Sequence, residues 1–213
     1  MRDLLTAITL LSLSIAMRAV AAPCPGTVVF QDSFTSPSPN LDVKPDVRDN
    51  ITIQGGKAEI TFTQPNVARN EEYGGVQYGD VHVCSTFTTA ATDKPENQSA
   101  GLMFWGGSDG GFYTFQFDPA HGNYALLQQV PGTGWSVPVP WTASAAIVKT
   151  LGSPNTLQVQ TKGNVVTMFI NGQNVGTYTG TPPPGGGLVG FSVSDSTNST
   201  DTWDVTDFSV SVP

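Results

Sequence analysis

Charge is scarce in this chain. Only 12% of its 213 residues are Asp, Glu, Lys or Arg, and 9 basic against 17 acidic side chains leave a formal charge of −8. No cluster of Lys or Arg interrupts that acidity, which argues against nucleic acid and anionic membranes as partners. Glutamate is limited to Glu59, Glu71, Glu72 and Glu96, and histidine to His82 and His121, so acid–base chemistry has few candidates. A helical 3.6-residue stripe of useful length is missing beyond the N-terminal segment, which argues against a fold built on helices. Apolar runs are short too: the one at residues 4–17 falls below the ~20 residues of a spanning helix.

That run has the form of a secretory signal. Arg2 supplies the positive start, and Ala19-Val20-Ala21 has the small-x-small pattern of a peptidase site, with Ala22 as an alternative end. Residues 1–22 are expected to be removed. Residues 23–213 then form one exported domain of the larger all-β kind, secreted or periplasmic and monomeric. The two cysteines, Cys24 and Cys84, both lie in the mature part. In an exported chain an even count points to a disulfide before a metal site or a nucleophile. Asn-x-Ser/Thr sequons stand at Asn50, Asn97 and Asn198 and matter only in a glycosylating host.

Glycine (23) and proline (16) are plentiful, as in short strands joined by turns. The clearest segment is 155–178. Alternating β-branched and apolar residues flank Lys162-Gly163-Asn164, and Asn171-Gly172 starts a second reversal, because Asn-Gly accepts the positive φ of a tight hairpin. Strands are expected at 27–32, 51–54, 58–63, 80–88, 101–105, 112–118, 124–130, 156–161, 165–170, 175–178, 187–194 and 203–212. Residues 142–151 read equally as a helical turn or a loop, and residues 131–142, broken by Pro138 and Pro140, as a loop. Twelve antiparallel strands without crossover helices pack as two sheets, a sandwich or jelly roll. Alternation puts Tyr113, Phe115 and Phe117 on one face, with Phe112, Thr114, Gln116 and Asp118 on the other. Ala100, Leu102 and Phe104 read as inward, turning Met103 and Trp105 outward. Phe208, Val210 and Val212 read as inward, and for 187–194 the inward set is open.

Several landmarks occur in order: Phe30-Gln31-Asp32-Ser33-Phe34, Gly55-Gly56-Lys57-Ala58-Glu59-Ile60, Ser99-Ala100-Gly101-Leu102-Met103-Phe104-Trp105 and Phe112-Tyr113-Thr114-Phe115-Gln116-Phe117. Trp135, Trp141, Phe169-Ile170-Asn171-Gly172, Gly187-Leu188-Val189-Gly190-Phe191 and Asp207-Phe208-Ser209-Val210 complete them. This series resembles the concanavalin A-like lectin/glucanase superfamily, most of all its laminin-G-like and 3-keto-disaccharide hydrolase branch, over roughly 27–212. The resemblance implies a jelly roll of two curved antiparallel sheets whose concave face holds saccharide. Fold-level likeness alone does not choose among lectin, binding domain and hydrolase.

Glucanases of the superfamily carry paired carboxyl groups as Glu-x-Asp-x-x-Glu on one strand face, the acid and base of glycoside hydrolysis. No such motif occurs here, and Glu71 and Glu72, as strand neighbours, face opposite ways. The 3-keto-disaccharide branch shows Gly-Tyr-Glu-x-Gln; here Thr114 stands where the acid would be, and Gln116 matches. If the chain is an enzyme of that type, its candidates are Gln116, His82, and Asp118 or Asp80. His82 shares a strand face with Asp80 and Cys84 and reads either as a partner in proton or metal work or as a half-buried polar residue. Asp118 reads as a compensating acid or, preferably, as the cap of the turn that follows. His121, in that turn, reads as solvated. Sugar recognition needs aromatic faces with amide, hydroxyl or carboxylate groups. Trp105, Thr114, Gln116, His82, Tyr124, Trp135 and Trp141 are the ligand-binding candidates, although Trp also closes the ends of sandwich cores. No cofactor is expected. The superfamily suggests a structural calcium near the chain ends, with Asp32 and Asp207 as first candidates. The leading expectation is a carbohydrate-binding jelly roll without chemistry, ahead of a 3-keto-disaccharide hydrolase and a laminin-G-like interaction module.

Overall fold

A computed structural model of the chain describes residues 24–41, 43, 46–90, 98–195 and 200–213. The signal segment and the sequons at Asn97 and Asn198 lie outside the described residues. Fourteen strands occur among the described residues, and none of these residues is helical. They are β1 (Thr27–Asp32), β2 (Asp49–Gln54), β3 (Lys57–Phe62), β4 (Ala68–Tyr78), β5 (His82–Thr89), β6 (Ser99–Gly106) and β7 (Phe112–Asp118). β8 (Asn123–Val130), β9 (Gly134–Ala143), β10 (Asn155–Lys162), β11 (Val165–Ile170), β12 (Gln173–Thr179), β13 (Gly187–Ser194) and β14 (Thr202–Val212) complete the set. One sheet runs β12-β11-β10-β5-β14-β3-β2 with β1 added against β14, and the other runs β4-β13-β6-β7-β8-β9. The strand pairs are antiparallel, as a jelly-roll sandwich requires.

The hairpins form where the turn residues demand them. Asn171 and Gly172 take φ of 50° and 77°, the pair of positive values that joins β11 to β12 in a two-residue turn. The Asn171 side chain is also tied down: its Nδ2 donates to the Ala146 carbonyl at 2.8 Å and its Oδ1 accepts from the Thr156 N–H at 2.8 Å.

Between the sheets lies one aromatic-rich core. Phe117 of the six-stranded sheet meets Phe87 and Trp203 of the other at 6.2 and 5.9 Å between ring centroids. Phe208 contacts Tyr73 and Phe191 across the gap at 4.5 and 6.4 Å. Val189, Phe191 and Val193 are the inward set of β13.

Strict alternation fails at two places. Asp207 sits at φ 56° where the pairing of β14 with β5 shifts between Thr206 and Ser209. The bulge lets Trp203 and Val205 point inward before it, and Phe208 and Val210 after it. Val212, expected inward, is on the exposed end of the strand. Trp105 takes φ 53° where three residues of β6 face two of β13, so it follows Phe104 into the core instead of turning outward.

Two strands were not expected. β4 is absent from the expected strands and β9 was read as a loop, whereas each is a sheet edge. Pro138 and Pro140 are tolerated in β9 because an edge strand has one unpaired side. Residues 144–154 form turns and loops, not a helix.

Cys24 and Cys84 are joined, pinning the lead-in to β1 onto β5 across a sequence separation of 60. A closed loop of that length contributes about 4 kcal/mol in the chain-entropy treatment. Replacing both cysteines by serine is expected to lower the unfolding free energy by about that amount, read as a lower denaturant midpoint with a slope that does not fall, since the denatured chain loses its cross-link. A midpoint equal to that of the parent would show that the β1–β14 pairing alone holds the N-terminal end.

Candidate functional site

The inward faces are filled, so a site must lie on an outer face. On β7, Tyr113, Phe115 and Phe117 point into the core, which turns Phe112, Thr114, Gln116 and Asp118 outward. Pairing extends that face to Asn123, Ala125, Leu127 and Gln129 on β8, and to Gly101 and Met103 on β6. On β13 and β4 it carries Ser192, Gly190 and Glu72.

At the Asp118 end of this face lies a cleft of about 510 Å³. Ser99, Ser194, Asp118, His121, Asn123 and Trp141 line it, with Gln98. Asp118 caps the turn after β7: its Oδ1 accepts from the His121 N–H at 3.1 Å, and its carbonyl accepts from the Gly122 N–H at 2.8 Å. Its Oδ2 lies 2.7 Å from His121 Nδ1, which fixes the imidazole and assigns the Nδ1 proton to that contact. Trp141 is 46% exposed beside this pair. Beneath them, Ser99 Oγ donates to Gln116 Oε1 at 2.9 Å, and Gln116 Nε2 donates to Ser192 Oγ at 3.1 Å. Ser99 and Ser194 hydroxyls are 2.7 Å apart. A flat aromatic face, a carboxylate, an imidazole, amides and hydroxyls therefore converge on one concavity.

The other sequence candidates scatter. Trp105 is 5% exposed and packs edge-on against Phe104 and Tyr113 at 5.5 Å each; only its rim reaches a second hollow at the far end of the sheet. Thr114 is fully buried, its hydroxyl without a partner among the described residues, so it touches no ligand. Tyr124 faces the core, where its hydroxyl donates to the Val175 carbonyl. His82 belongs to β5 in the opposite sheet, against Gln158, and is not a neighbour of Gln116. Burial lowers its pKa and keeps it neutral. Asp80 Oδ1 accepts from the Gly163 N–H at 2.7 Å, away from the cleft. Gln116 reaches the cleft only through Ser99. Trp135 and Trp141 keep their place on the face.

β1 and β14 do lie side by side, with Asp32 opposite Phe208, next to Asp207. The Asp32 oxygens already accept from the Phe34 N–H at 2.8 Å and the Tyr73 hydroxyl at 3.0 Å. Among the described residues no group of three or more His, Cys, Asp or Glu is placed to hold a metal ion.

Sequence reasoning read His121 as solvated, as it is, without giving it a role, and named no site role for Ser99, Ser194 or Glu72. The Asp-x-x-His spacing after a strand was the available signal for His121, since a capping aspartate holds the residue three positions on. Glu72 shares the outer face, paired across Gly190 with the row that leads to Met103 and Thr114. Burial without a counter-charge raises its pKa above the ordinary 4.5. The folded state thus binds the Glu72 proton more readily than the unfolded chain, an advantage present below pH 4.5 and lost as pH rises through the folded value. Glu72→Gln is expected to raise the melting temperature at pH 7, with the gap closing below pH 4.5. Equal melting temperatures at pH 7 would mean the carboxylate is fully solvated.

No protein-family profile matches the chain, and no curated protein does. Solved structures do. A Bacillus licheniformis beta-glucanase is similar over 89% of this chain and 100% of its own, with TM-score 0.61 and 13% identity. The carbohydrate binding module CBM66 from Bacillus subtilis matches over 89% and 99%, with TM-score 0.51 and 14% identity. A Bacillus subtilis protein of unknown function with a galectin-like fold matches over 87% and 96%, with TM-score 0.61 and 12% identity. At such identities the likeness speaks for architecture alone: the chain has the all-β jelly-roll sandwich fold of these structures.

Proposed function

We propose that the cleft at the Asp118 end of the six-stranded sheet binds a saccharide without transforming it. The observation that carries this reading is the exposed indole of Trp141 facing the Asp118–His121 pair in a cleft of about 510 Å³. An indole face suits the C–H side of a pyranose, and the carboxylate, imidazole and amide groups suit its hydroxyls. The same architecture in a carbohydrate binding module and in a beta-glucanase supports a carbohydrate ligand. Of the described side chains lining the cleft, Asp118 alone bears a carboxyl, whereas glycoside hydrolysis ordinarily uses two, ~5 to ~9.5 Å apart. This favours binding over a hydrolase of the 3-keto-disaccharide type. Disulfide bonding accords with an oxidising, extracellular setting. No helix among the described residues is long and apolar enough to cross a membrane.

A glycan array with the full chain, followed by Trp141→Ala, tests the reading. The variant is expected to lose at least tenfold in affinity for any glycan retained by the parent, at unchanged melting temperature, since Trp141 is exposed on an edge strand. Trp105→Ala is the wrong probe: emptying a buried Trp site costs ~3–5 kcal/mol and reports on folding. Absence of any glycan bound, or protein partners captured regardless of competing sugar, would overturn the proposal in favour of an interaction module.

A further inference from the structure

We propose that this face takes an unbranched saccharide chain of three or more units, laid along β9 from Trp141 to Trp135. The inference rests on the saccharide reading above. Both indoles lie on the outer side of the edge strand: Trp135 pairs with Gln129, itself opposite Phe112, and Ala143, two residues beyond Trp141, pairs with Asn123 opposite Asp118. Both are open to solvent, Trp135 at 52% and Trp141 at 46%. The Trp135 ring is oriented edge-on by Phe112, at 5.5 Å and 83° between planes, which sets it as a platform instead of a free side chain.

Side-chain amides stand near each end of the track. Trp141 stands with the Asp118 carboxylate and the Asn123 amide in the first cleft. Phe112, against Trp135, lines a second hollow of about 350 Å³ with the amides of Gln128 and Gln129. Between the ends, Ala125, Thr114 and Met103 of the same face are buried and uncharged. The seven positions from Trp135 to Trp141 fall where two bulges shift the pairing with β8, so they run beside about four residues of β8. Four residues of strand span roughly 14 Å, about the length of three linked pyranose rings. A single sugar covers one platform. A chain reaches both, and its second contact, being intramolecular, adds affinity without a second association step.

Calorimetric titration of the full chain with linear gluco- and chito-oligosaccharides of one to six units tests this. Affinity is expected to rise at least tenfold between two and four units and then level off. Trp135→Ala should abolish that rise, while Trp135→Phe, keeping a ring, should restore part of it. Trp141→Ala should weaken every length. Affinity that is flat with length but still needs Trp141 would overturn the extended chain and leave the saccharide reading standing. No binding at any length, together with an empty glycan array, would overturn both.

Discussion

The structure depends on the two-residue period of its strands, and on two of the points where that period is broken, at Trp105 and Asp207. A sandwich closes only if both sheets turn their apolar side chains toward each other along their whole length. β14 spans more of its sheet than any single neighbour, pairing with β3, β5 and β1. Without the extra residue at Asp207, one half of β14 would carry its apolar set to solvent. Phe208 would then leave Tyr73 and Phe191, its contacts in the opposite sheet. An aspartate at φ 56° is the device that keeps both halves aimed inward, since Asp tolerates the left-handed region better than most residues. Trp105 performs the same inversion on β6.

Those breaks mark where legibility in the sequence ended. The β10–β12 hairpins, β7 with its two faces and the disulfide were all readable, because each depends on local chemistry: turn residues, alternation, or the only two thiols in the chain. Trp105 was misassigned because alternation was carried through a position whose φ no residue pattern announces. The candidate site was half legible. Trp135 and Trp141 were named, but their strand was taken for a loop, since prolines disqualify a central strand and merely decorate an edge. His82 and Gln116 were grouped together although sheet order separates them, and sheet order is a long-range property that adjacent residues do not encode.

β4 shows a different obstacle. Its inward positions are Arg69, Glu71 and Tyr73, and its outward ones include Glu72, so no apolar stripe exists to find. Arg69 is buried between the sheets, where its guanidinium meets Asp49 at 3.0 Å and also Glu71. Burial raises the Asp49 pKa despite that partner, a sign that desolvation outweighs attraction at this end of the sandwich. A charged pair in such a place adds little net stability over well-packed apolar residues. It does penalise any slip of β4 that would leave one charge alone, and so it fixes the register of an edge strand that hydrophobicity cannot fix.

The same logic explains why the proposed recognition chemistry sits at the end of β7 and not at its middle. Gln116 is held at both ends of its amide by Ser99 and Ser192, and Ser99 is further engaged with Ser194. A polar floor whose donors and acceptors are spent on one another is rigid, and it offers little to an incoming hydroxyl. Thr114 is sealed beneath its neighbours. The groups still able to reach a ligand are His121, which the turn after β7 projects past the sheet, and the part of the Asp118 carboxyl that lines the cleft, together with the rings that the edge strand leaves uncovered. A scaffold with a closed floor hands specificity to its rim, and there a turn held by one capping aspartate places the carboxylate and the imidazole in a single step.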